Sequence, residues 1–339
     1  MNIGLSYDLK TEMPPGNVED ALEEYDAPET IAALTTALES LGHSVTRLGG
    51  GREFLANILG NHKQIDLVFN IAEGRGIYRS REAQVPSVLE MLGIPYTGSD
   101  PQCLAICLDK PLTKTLLAEA GIRTPKWRVV SDSGELRNTG RDGFPLPAFV
   151  KPAYEGSSKG IRLNCRAETP DQITGLATRL LEQYQQPVMV EEFIAGYEVT
   201  VGVGGLPPQV IGIMRILPQP GPNPEFVYSL EVKRDWEKLV SYECPAQLSA
   251  KTMREIARMS LATFAVLGCR DIARIDFRVD TTGKPYFIEI NPLPGLRPGY
   301  SDLPIMAQKM GYDYNALIGL ILNAALKRQN GVGNNRHNL

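Results

Sequence analysis

Residues 273–295 read ARIDFRVDTTGKPYFIEINPLPG, and apolar and polar residues alternate on either side of TTGK. Alternation with period two is typical of a β-strand, and a short connection containing glycine is typical of a hairpin turn. With Thr281–Lys284 as the loop, Asp280 is expected to lie opposite Pro285. The stretch therefore predicts an antiparallel hairpin with one polar and one apolar face. The apolar face is expected to contain Ile275, Phe277, Ile288 and Ile290.

The polar face of this hairpin carries the most informative residues of the chain. The same register places Asp276 opposite Glu289, and Arg274 opposite Asn291. Two carboxylates that face each other destabilise a strand pair by up to about 1 kcal/mol. Carboxylate and amide oxygens are ligands that magnesium prefers, and a neighbouring arginine suits a transferring phosphoryl group. The face predicts a magnesium–nucleotide site, with a solvated surface hairpin as the alternative.

The chain as a whole has the composition of a globular protein. It has 339 residues, 43% hydrophobic and 22% charged, with a net charge of −4. This length suits two or three domains, and the charge does not favour nucleic-acid binding. The chain starts on strand-like sequence, and no segment approaches the roughly 20 apolar residues of a membrane span. We therefore expect a cytoplasmic protein with neither a nucleic-acid nor a membrane partner.

The cysteine spacing does not predict a metal site. Cys103 and Cys107 lie four residues apart on a predicted helix, but no second pair of cysteines or histidines follows at zinc spacing. The five cysteines are scattered and odd in number. This pattern is typical of reduced thiols that pack as small core residues in a cytosolic protein.

The order of predicted elements favours a combined α/β and α+β architecture. In the first third, strand-like runs at residues 2–7 and 65–72 flank a helical period at 26–43, which predicts a parallel sheet. Later strands are denser, and residues 160–165 are expected to form one of them. The predicted units are an N-terminal α/β domain (1–101), a central subdomain (102–190), a C-terminal subdomain (191–328) and a flexible tail (329–339).

The segment VKPAYEGSSKGIRL, residues 150–163, is a second candidate for phosphate binding. Gly156, Ser157 and Ser158 can present backbone N–H groups to an anion, and Lys151 ends the preceding strand. The spacing is not that of a Walker loop. Taken alone, the segment fits a flexible hairpin tip better than a phosphate site.

Taken in order, these features resemble the ATP-grasp superfamily, and most closely the D-alanine–D-alanine ligase family. The matching phrases lie between residues 88 and 296: LGIPYTGS, DK, VKPAYEGSSKGI, EEFIAGYEVTV and RIDFRVDTTGKPYFIEINPLPG. The resemblance implies an ATP-grasp fold preceded by a parallel α/β domain. It also implies the use of ATP and Mg²⁺, with Mn²⁺ as an alternative ion. Its implied partners are small amino-acid-type substrates and a second copy of the chain in a homodimer.

The resemblance assigns nucleotide and metal ligands residue by residue. The implied phosphate-binding lysines are Lys110, Lys151 and Lys233. The implied hinge that meets adenine consists of Glu191, Glu192, Phe193 and Ile194, and Glu198 resembles the acid on the ribose. The implied magnesium ligands are Asp276, Glu289 and Asn291.

Four catalytic roles are implied in the same way. Arg274 resembles the arginine that stabilises charge on the phosphoryl group and the acyl centre. Lys233 matches a lysine of a mobile loop, and Ser157 matches the lid serine that helps to place the first substrate. Gly295 matches the glycine whose N–H faces the developing oxyanion. A closing lid would protect an acyl phosphate from water.

The departures from the family pattern concern substrate recognition. The family's glutamate-bearing turn is replaced by a longer segment, in which Glu24 or Asp26 is a substitute and helix capping is the alternative interpretation. Added arginines favour a substrate with an extra anionic group, unless they pair with Glu73, Glu82 and Asp235 at the surface. The candidate substrate residues are Glu24, Asp26, Arg79, Arg81, Arg234 and Ser301.

The expected function is that of an ATP-dependent carboxylate–amine ligase. Such an enzyme forms a peptide-like bond between small amino-acid-type substrates through an acyl phosphate, and the departures suggest a non-alanine substrate. One alternative is an authentic D-alanine–D-alanine ligase of cell-wall synthesis. Others are a carboxylase of the biotin-carboxylase type and an inactive ATP-binding regulator.

Overall fold

The structure is a computed structural model that describes residues 1–11, 18–132, 134–135 and 143–333. In these ranges the strands are β1 (Asn2–Ser6), β2 (Ser44–Gly49), β3 (Leu67–Asn70), β4 (Trp127–Val130), β5 (Ala148–Pro152), β6 (Arg166–Ala167), β7 (Val188–Glu192), β8 (Gly196–Gly204), β9 (Gln209–Pro218), β10 (Val240–Glu243), β11 (Ile272–Asp280) and β12 (Pro285–Asn291).

The α-helices of the same ranges are α1 (Pro28–Ser40), α2 (Gly51–Asn61), α3 (Gln84–Leu92), α4 (Pro101–Leu108), α5 (Lys110–Glu119), α6 (Pro170–Tyr184), α7 (Leu230–Arg234), α8 (Trp236–Leu239), α9 (Ala250–Val266), α10 (Asp302–Lys309) and α11 (Tyr314–Gly333). None of these described helices has the length and apolar character needed to cross a membrane.

The N-terminal sheet confirms the predicted parallel α/β domain. Its strand order is β2-β1-β3, and both pairs are parallel. Helix α1 packs on this sheet together with α11, whose Leu317 and Ile321 enter the same hydrophobic core as Ile3. Helix α11 includes residues 329–333 of the predicted tail, and residues 334–339 lie outside the described ranges.

The helix cap expected at Asp26 is wrong. Helix α1 begins after Ala27, whose side chain makes no capping hydrogen bond, and Pro28 occupies the first turn. Proline suits this position because its missing N–H is one that the first turn leaves without a partner. Asp26 therefore lies just outside the helix, and its carboxylate remains available to the interior.

A four-stranded sheet forms the central layer, with the order β4-β7-β5-β6 and antiparallel pairing. The strand predicted at residues 160–165 is wrong. Gly160 has φ +74° and the N–H of Cys165 donates to the carbonyl of Arg162, so this segment turns, and the sheet resumes only at β6. Strand β7 crosses the predicted boundary between residues 190 and 191, and the domain boundaries stay predictions.

The C-terminal layer is a five-stranded sheet in the order β10-β9-β8-β11-β12. The hairpin β11–β12 has the predicted register at its polar residues, because Asp276 pairs with Glu289 and Arg274 pairs with Asn291. The apolar side chains of β8 and β11 pack against α9 in one core. The polar side chains of the hairpin therefore lie on the opposite side of the sheet.

The register near the turn differs from the prediction. Pro285 pairs with Val279 rather than with Asp280, because the carboxylate of Asp280 accepts the N–H groups of Thr282 and Lys284 and so belongs to the turn. A bulge compensates between Asp276 and Phe277. Phe287 then takes the core position. Its ring packs edge-on against the ring of Phe277, with the two ring centres 6.3 Å apart. Ile288, expected in the core, lines a cleft instead.

Candidate active site

Two adjoining cavities bring the predicted site residues together. The intersheet cleft lies between the central and C-terminal sheets and is lined by Lys151, Glu191, Glu192, Phe193, Ile194, Glu198, Asp276 and Glu289. The inner cavity reaches the N-terminal domain and is lined by Glu24, Asp26, Glu73, Glu82, Lys110, Ser157, Arg234, Asn291, Gly295 and Ser301. Tyr228, Lys233, Arg274 and Asp302 line both. We call these four residues the junction.

Lysines surround Glu289 at the inner end of the intersheet cleft. The Nζ of Lys110 lies 3.4 Å from Glu289 Oε2 and donates to the carbonyl of Glu155 at 2.5 Å. Lys110 is placed there because it starts α5, which Asp109 caps. Burial alone would raise the pKa of Glu289. The charges of Lys110, Lys151, Lys233 and Arg274 together outweigh burial and hold this pKa well below its usual value. Glu289 is therefore a carboxylate in a strongly cationic site.

A buried lysine pair shares the carboxylate of Glu191. Lys151 Nζ lies 2.9 Å from Glu191 Oε2, and Lys114 contacts Oε1. Burial lowers the pKa of Lys114 to about 8. Because its carboxylate holds both lysines, Glu191 orients them, while Glu192, Phe193 and Ile194 line the cleft beside it. Lys114 was not predicted from the sequence, although its position four residues after Lys110 on α5 places both on one helix face.

The polar face of the hairpin has a donor set that fits a hard cation. Asp276 accepts hydrogen bonds from Thr200 Oγ1 at 2.6 Å and from both Nε and Nη2 of Arg274. Asn291 donates its Nδ2 to Asp276 at 3.3 Å, so its Oδ1 is left for a cation. Together with Glu289, these residues offer carboxylate and amide oxygens, the chemistry that Mg²⁺ prefers.

Arg278, also missed from the sequence, fixes the hinge side of the cleft. It donates to Glu198 Oε1 at 2.8 Å and to the carbonyl oxygens of Ile194 and Phe226. Its position two residues after Asp276 puts it on the same strand face. Glu198 is thus held at the cleft wall by an ion pair, where the resemblance expects the ribose.

The junction places two positively charged side chains between the two cavities. Lys233 Nζ lies 5.2 Å from the centre of the Tyr228 ring, and burial, followed by the charge of Arg274, lowers the pKa of Lys233. Arg274 Nη1 lies 3.9 Å from Asp302 Oδ2. A transferring group in either cavity would therefore meet two cations, Lys233 and Arg274.

Gly295 and Ser301 lie together in the wall of the inner cavity. A Cβ atom on Gly295 would lie 2.9 Å from Ser301 Oγ, which also accepts the N–H of Arg297 at 3.2 Å. Only glycine fits this close approach without a shift of the serine. The backbone of Gly295 is thereby held at the cavity surface.

The segment Gly156–Lys159 closes over the inner cavity and is fastened by Glu24. The N–H of Gly156 donates to Glu24 Oε1 at 2.7 Å, and Lys159 Nζ lies 3.3 Å from Oε2. Ser157 lines the cavity, and its φ of +46° is a left-handed conformation. Arg81 adds contacts of 2.7 and 2.8 Å to the same carboxylate. The carboxylate of Glu24 therefore already has ion-pair partners. Burial would raise its pKa, but the charges of Arg81 and Lys159 have the larger combined effect and lower it.

The three arginines predicted as substrate residues do not present surplus positive charge to the inner cavity. Arg79 is 66% exposed, pairs with Asp109 and does not line the cavity. Arg81 is bound to Glu24, and Arg234 donates to Glu19 and Glu23 at 2.8 and 2.7 Å. The pairing partners expected at the surface are therefore wrong for these arginines.

The inner cavity also holds acids with raised pKa values; Glu73 and Glu82 were missed as site residues, and Asp26 was predicted. Glu82 is 8% exposed, and none of the described residues donates a hydrogen bond to it. Burial, and then the charge of Glu24, raises its pKa to about 7, against the pull of Arg81. Burial and the charge of Glu82 raise the pKa of Glu73, and burial and Asp8 raise that of Asp26 to about 7.

Known proteins resemble this chain in both sequence and fold. Residues 116–323, more than half of the chain, match the family model described as the D-ala D-ala ligase C-terminus. The chain belongs to the D-Ala–D-Ala ligase family. It is 35% identical over 294 residues to the D-alanine–D-alanine ligase of Aquifex aeolicus, covering 87% of this chain and 94% of that one.

Two further relatives extend the comparison. The uncharacterized protein y4sG of Sinorhizobium fredii is 33% identical over 310 residues, which cover 89% of this chain and 88% of that one. The fold matches the Bacillus anthracis D-alanine–D-alanine ligase crystallised with ATP, with a TM-score of 0.74, 24% identity, and 98% and 99% of the two chains covered. As a member of this family, the chain is an ATP-dependent ligase that forms carbon–nitrogen bonds and releases ADP.

Proposed function

We propose that the protein activates the carboxylate of one amino acid with ATP and joins it to the amine of a second. The observation that carries this proposal is the junction, at which the intersheet cleft and the inner cavity share Lys233 and Arg274. ATP would lie in the cleft, with its phosphates toward Lys110 and Lys151. Both amino acids would lie in the inner cavity, on the other side of the same two cations.

The reaction proceeds in two steps across the junction. A carboxylate oxygen of the first amino acid attacks the terminal phosphorus, the bond to ADP breaks, and an acyl phosphate forms. The amine of the second amino acid, having lost a proton to solvent, attacks the acyl carbon, and phosphate leaves. Arg274 and Lys233 stabilise the negative charge that moves between the cavities. The backbone N–H of Gly295 is placed for the acyl oxyanion, and Gly156–Lys159 excludes water from the acyl phosphate.

A divalent cation would be held by Asp276, Glu289 and the amide oxygen of Asn291. When bound, it would neutralise charge on the nucleotide phosphates. Mg²⁺ fits this oxygen donor set, and Mn²⁺ is an alternative. A homodimer, which rests on the family resemblance alone, and a cytoplasmic location, which rests on the sequence composition, are further parts of the proposal.

The charge balance of the inner cavity favours a first substrate other than D-alanine. Glu24 is already matched by Arg81 and Lys159, whereas Glu73, Glu82 and Asp26 have raised pKa values and no ion pair among the described residues. The ammonium of any amino acid accounts for one of these acids. We infer that the substrate carries a second cationic group, because buried carboxylates without partners are otherwise costly.

Trapping the activated acid tests both parts of this proposal. The protein is incubated with ATP, magnesium, hydroxylamine and one amino acid at a time, from a panel that holds both enantiomers of alanine, serine and diaminopropionate. A hydroxamate and an equal amount of ADP are expected, with diaminopropionate the better substrate. Hydroxamate from alanine alone would overturn the cationic-substrate inference. ADP release without hydroxamate from any member of the panel would overturn activation of an amino acid. The matched control Lys284→Ala alters an exposed lysine at the hairpin turn and is expected to behave like the wild type.

A further inference from the structure

Three cysteines that are far apart in the sequence converge behind the wall of the inner cavity. Cys103 and Cys107 lie one turn apart on α4, and Cys269 follows the end of α9. The sulfur of Cys103 lies 3.8 Å from that of Cys107 and 3.5 Å from that of Cys269, and all three sulfurs lie within 4.8 Å of one another. All three are free thiols and no more than 8% exposed.

These distances are close to those of a thiolate metal site. Three sulfurs that each lie about 2.3 Å from one metal ion are about 3.8–4.0 Å apart. A disulfide would need sulfurs about 2 Å apart. In the part of the chain that the structure describes, no other group of three or more cysteine, histidine or acidic side chains meets so closely.

The cluster is held in place by polar contacts around it. The N–H of Cys103 donates to Asp100, whose other oxygen lies 2.5 Å from Nη2 of Arg270. The N–H of Arg270 donates to Ser99 Oγ, and that of Gly98 donates to Asp271. The segments before Cys103 and around Cys269 are thereby tied together. Such outer contacts orient the ligands of metal sites in general.

The helix position of Cys103 also favours ionised sulfur. Cys103 lies in the first turn of α4, where the helix dipole stabilises a thiolate. Cys107 lines the inner cavity, so an ion has a route from that cavity to the sulfurs.

We propose that Cys103, Cys107 and Cys269 form a binding site for one thiophilic divalent cation, zinc or its heavier congener cadmium. Three sulfur ligands select a soft ion over magnesium, so this site is distinct from the oxygen site at Asp276 and Glu289. A divalent ion balances more of the thiolate charge in this buried position than a monovalent one. Each coordinating thiol releases its proton to solvent, so affinity rises with pH. The proposal does not depend on the ligation reaction.

Cadmium titration of the full-length, reduced and chelator-treated protein tests this site. We expect one cadmium ion per chain after desalting, a thiolate-to-cadmium charge-transfer band in the ultraviolet, and no competition from magnesium. Cys269→Ala and Cys107→Ala are each expected to weaken binding by at least about tenfold, since even outer contacts of metal sites contribute that much. The matched control Cys244→Ser changes a half-buried thiol outside the cluster and should leave binding unchanged.

Two variants keep the test decisive if one of them does not fold. Circular dichroism and ATP binding verify that each variant is native, and the one that folds is used for the comparison. Wild-type protein that shows no charge-transfer band at one equivalent of cadmium would overturn the proposal. Binding that persists at full strength in a folded Cys269→Ala or Cys107→Ala variant, or that is lost in Cys244→Ser, would overturn it as well.

Discussion

The intersheet cleft and the inner cavity handle charge in opposite ways. In the cleft the buried acids are matched within the protein, as Glu191 is by two lysines and Glu198 by Arg278. In the inner cavity one acid, Glu24, is strongly bound, while Glu82 has no donor among the described residues. The difference indicates that the cleft is complete without an amino-acid ligand. The inner cavity holds charge that a ligand is expected to match.

Removing Arg81 is expected to give the largest effect on stability. The guanidinium is 3% exposed and binds Glu24 at 2.7 Å and Glu155 at 3.3 Å. In Arg81→Met, Lys159 would be left with two buried carboxylates, and breaking a buried ion pair in this way costs about 3–5 kcal/mol. Urea unfolding without substrates measures this loss.

Arg79→Met is the matched control for that experiment. Arg79 lies two residues away and is 66% exposed, so its pair with Asp109 contributes little in water. If Arg81→Met and Arg79→Met lowered the free energy of unfolding equally, the inner cavity would not contain the buried ion-pair network described above.

Glu289→Ala tests the cleft rather than the inner cavity. The variant removes the carboxylate that faces Lys110 and lines the polar hairpin. Turnover of ATP is expected to fall by about 10²–10³-fold, the size typical of losing one electrostatic group in an active site. Circular dichroism should report a folded protein, because the hairpin core of Phe277 and Phe287 is untouched. Turnover that persists at the wild-type rate would reject the hairpin as the metal site.

The sequence could predict the pairing of the hairpin residues in the cleft, but not the contacts of the inner cavity. The hairpin ligands share two strands joined by one turn, so period-two alternation sufficed to pair Asp276 with Glu289. The bulge that moves Ile288 into the cleft depends on how Asp280 bonds to the turn, which alternation does not record. Arg81 and Glu24 are 57 residues apart on segments without a shared period. Their contact, and the convergence of Cys269 on Cys103, depends on tertiary packing.

The unmatched acid Glu82 gives the inner cavity a pH dependence that the cleft should lack. Its pKa is 4.5 without the folded environment and about 7 in the folded protein, mainly because of burial. Between these values the folded state keeps a proton that the unfolded state has lost. The stabilisation is therefore present below pH 4.5 and is lost as the pH rises through about 7.

Glu82→Gln is expected to remove this part of the pH dependence. Urea unfolding at about pH 5 and about pH 8 measures it, with the exposed Glu119→Gln as the control. A cationic substrate should also bind wild-type protein more tightly as the pH rises through 7, and the variant should lose that trend. An unchanged profile in the variant would mean that Glu82 is already matched by a partner.

Arg234→Ala is expected to have the smallest effect. Arg234 is a predicted substrate residue, but its guanidinium donates to Glu19 and Glu23 and is 39% exposed. Exposed pairs of this kind change an equilibrium by at most about fivefold. The KM for each amino acid of the panel should therefore move together and by no more than this factor. With aspartate added to the panel, a selective loss of aspartate in Arg234→Ala would show instead that Arg234 leaves its two glutamates to bind a substrate carboxylate, and the inner cavity would then present positive charge in the working enzyme.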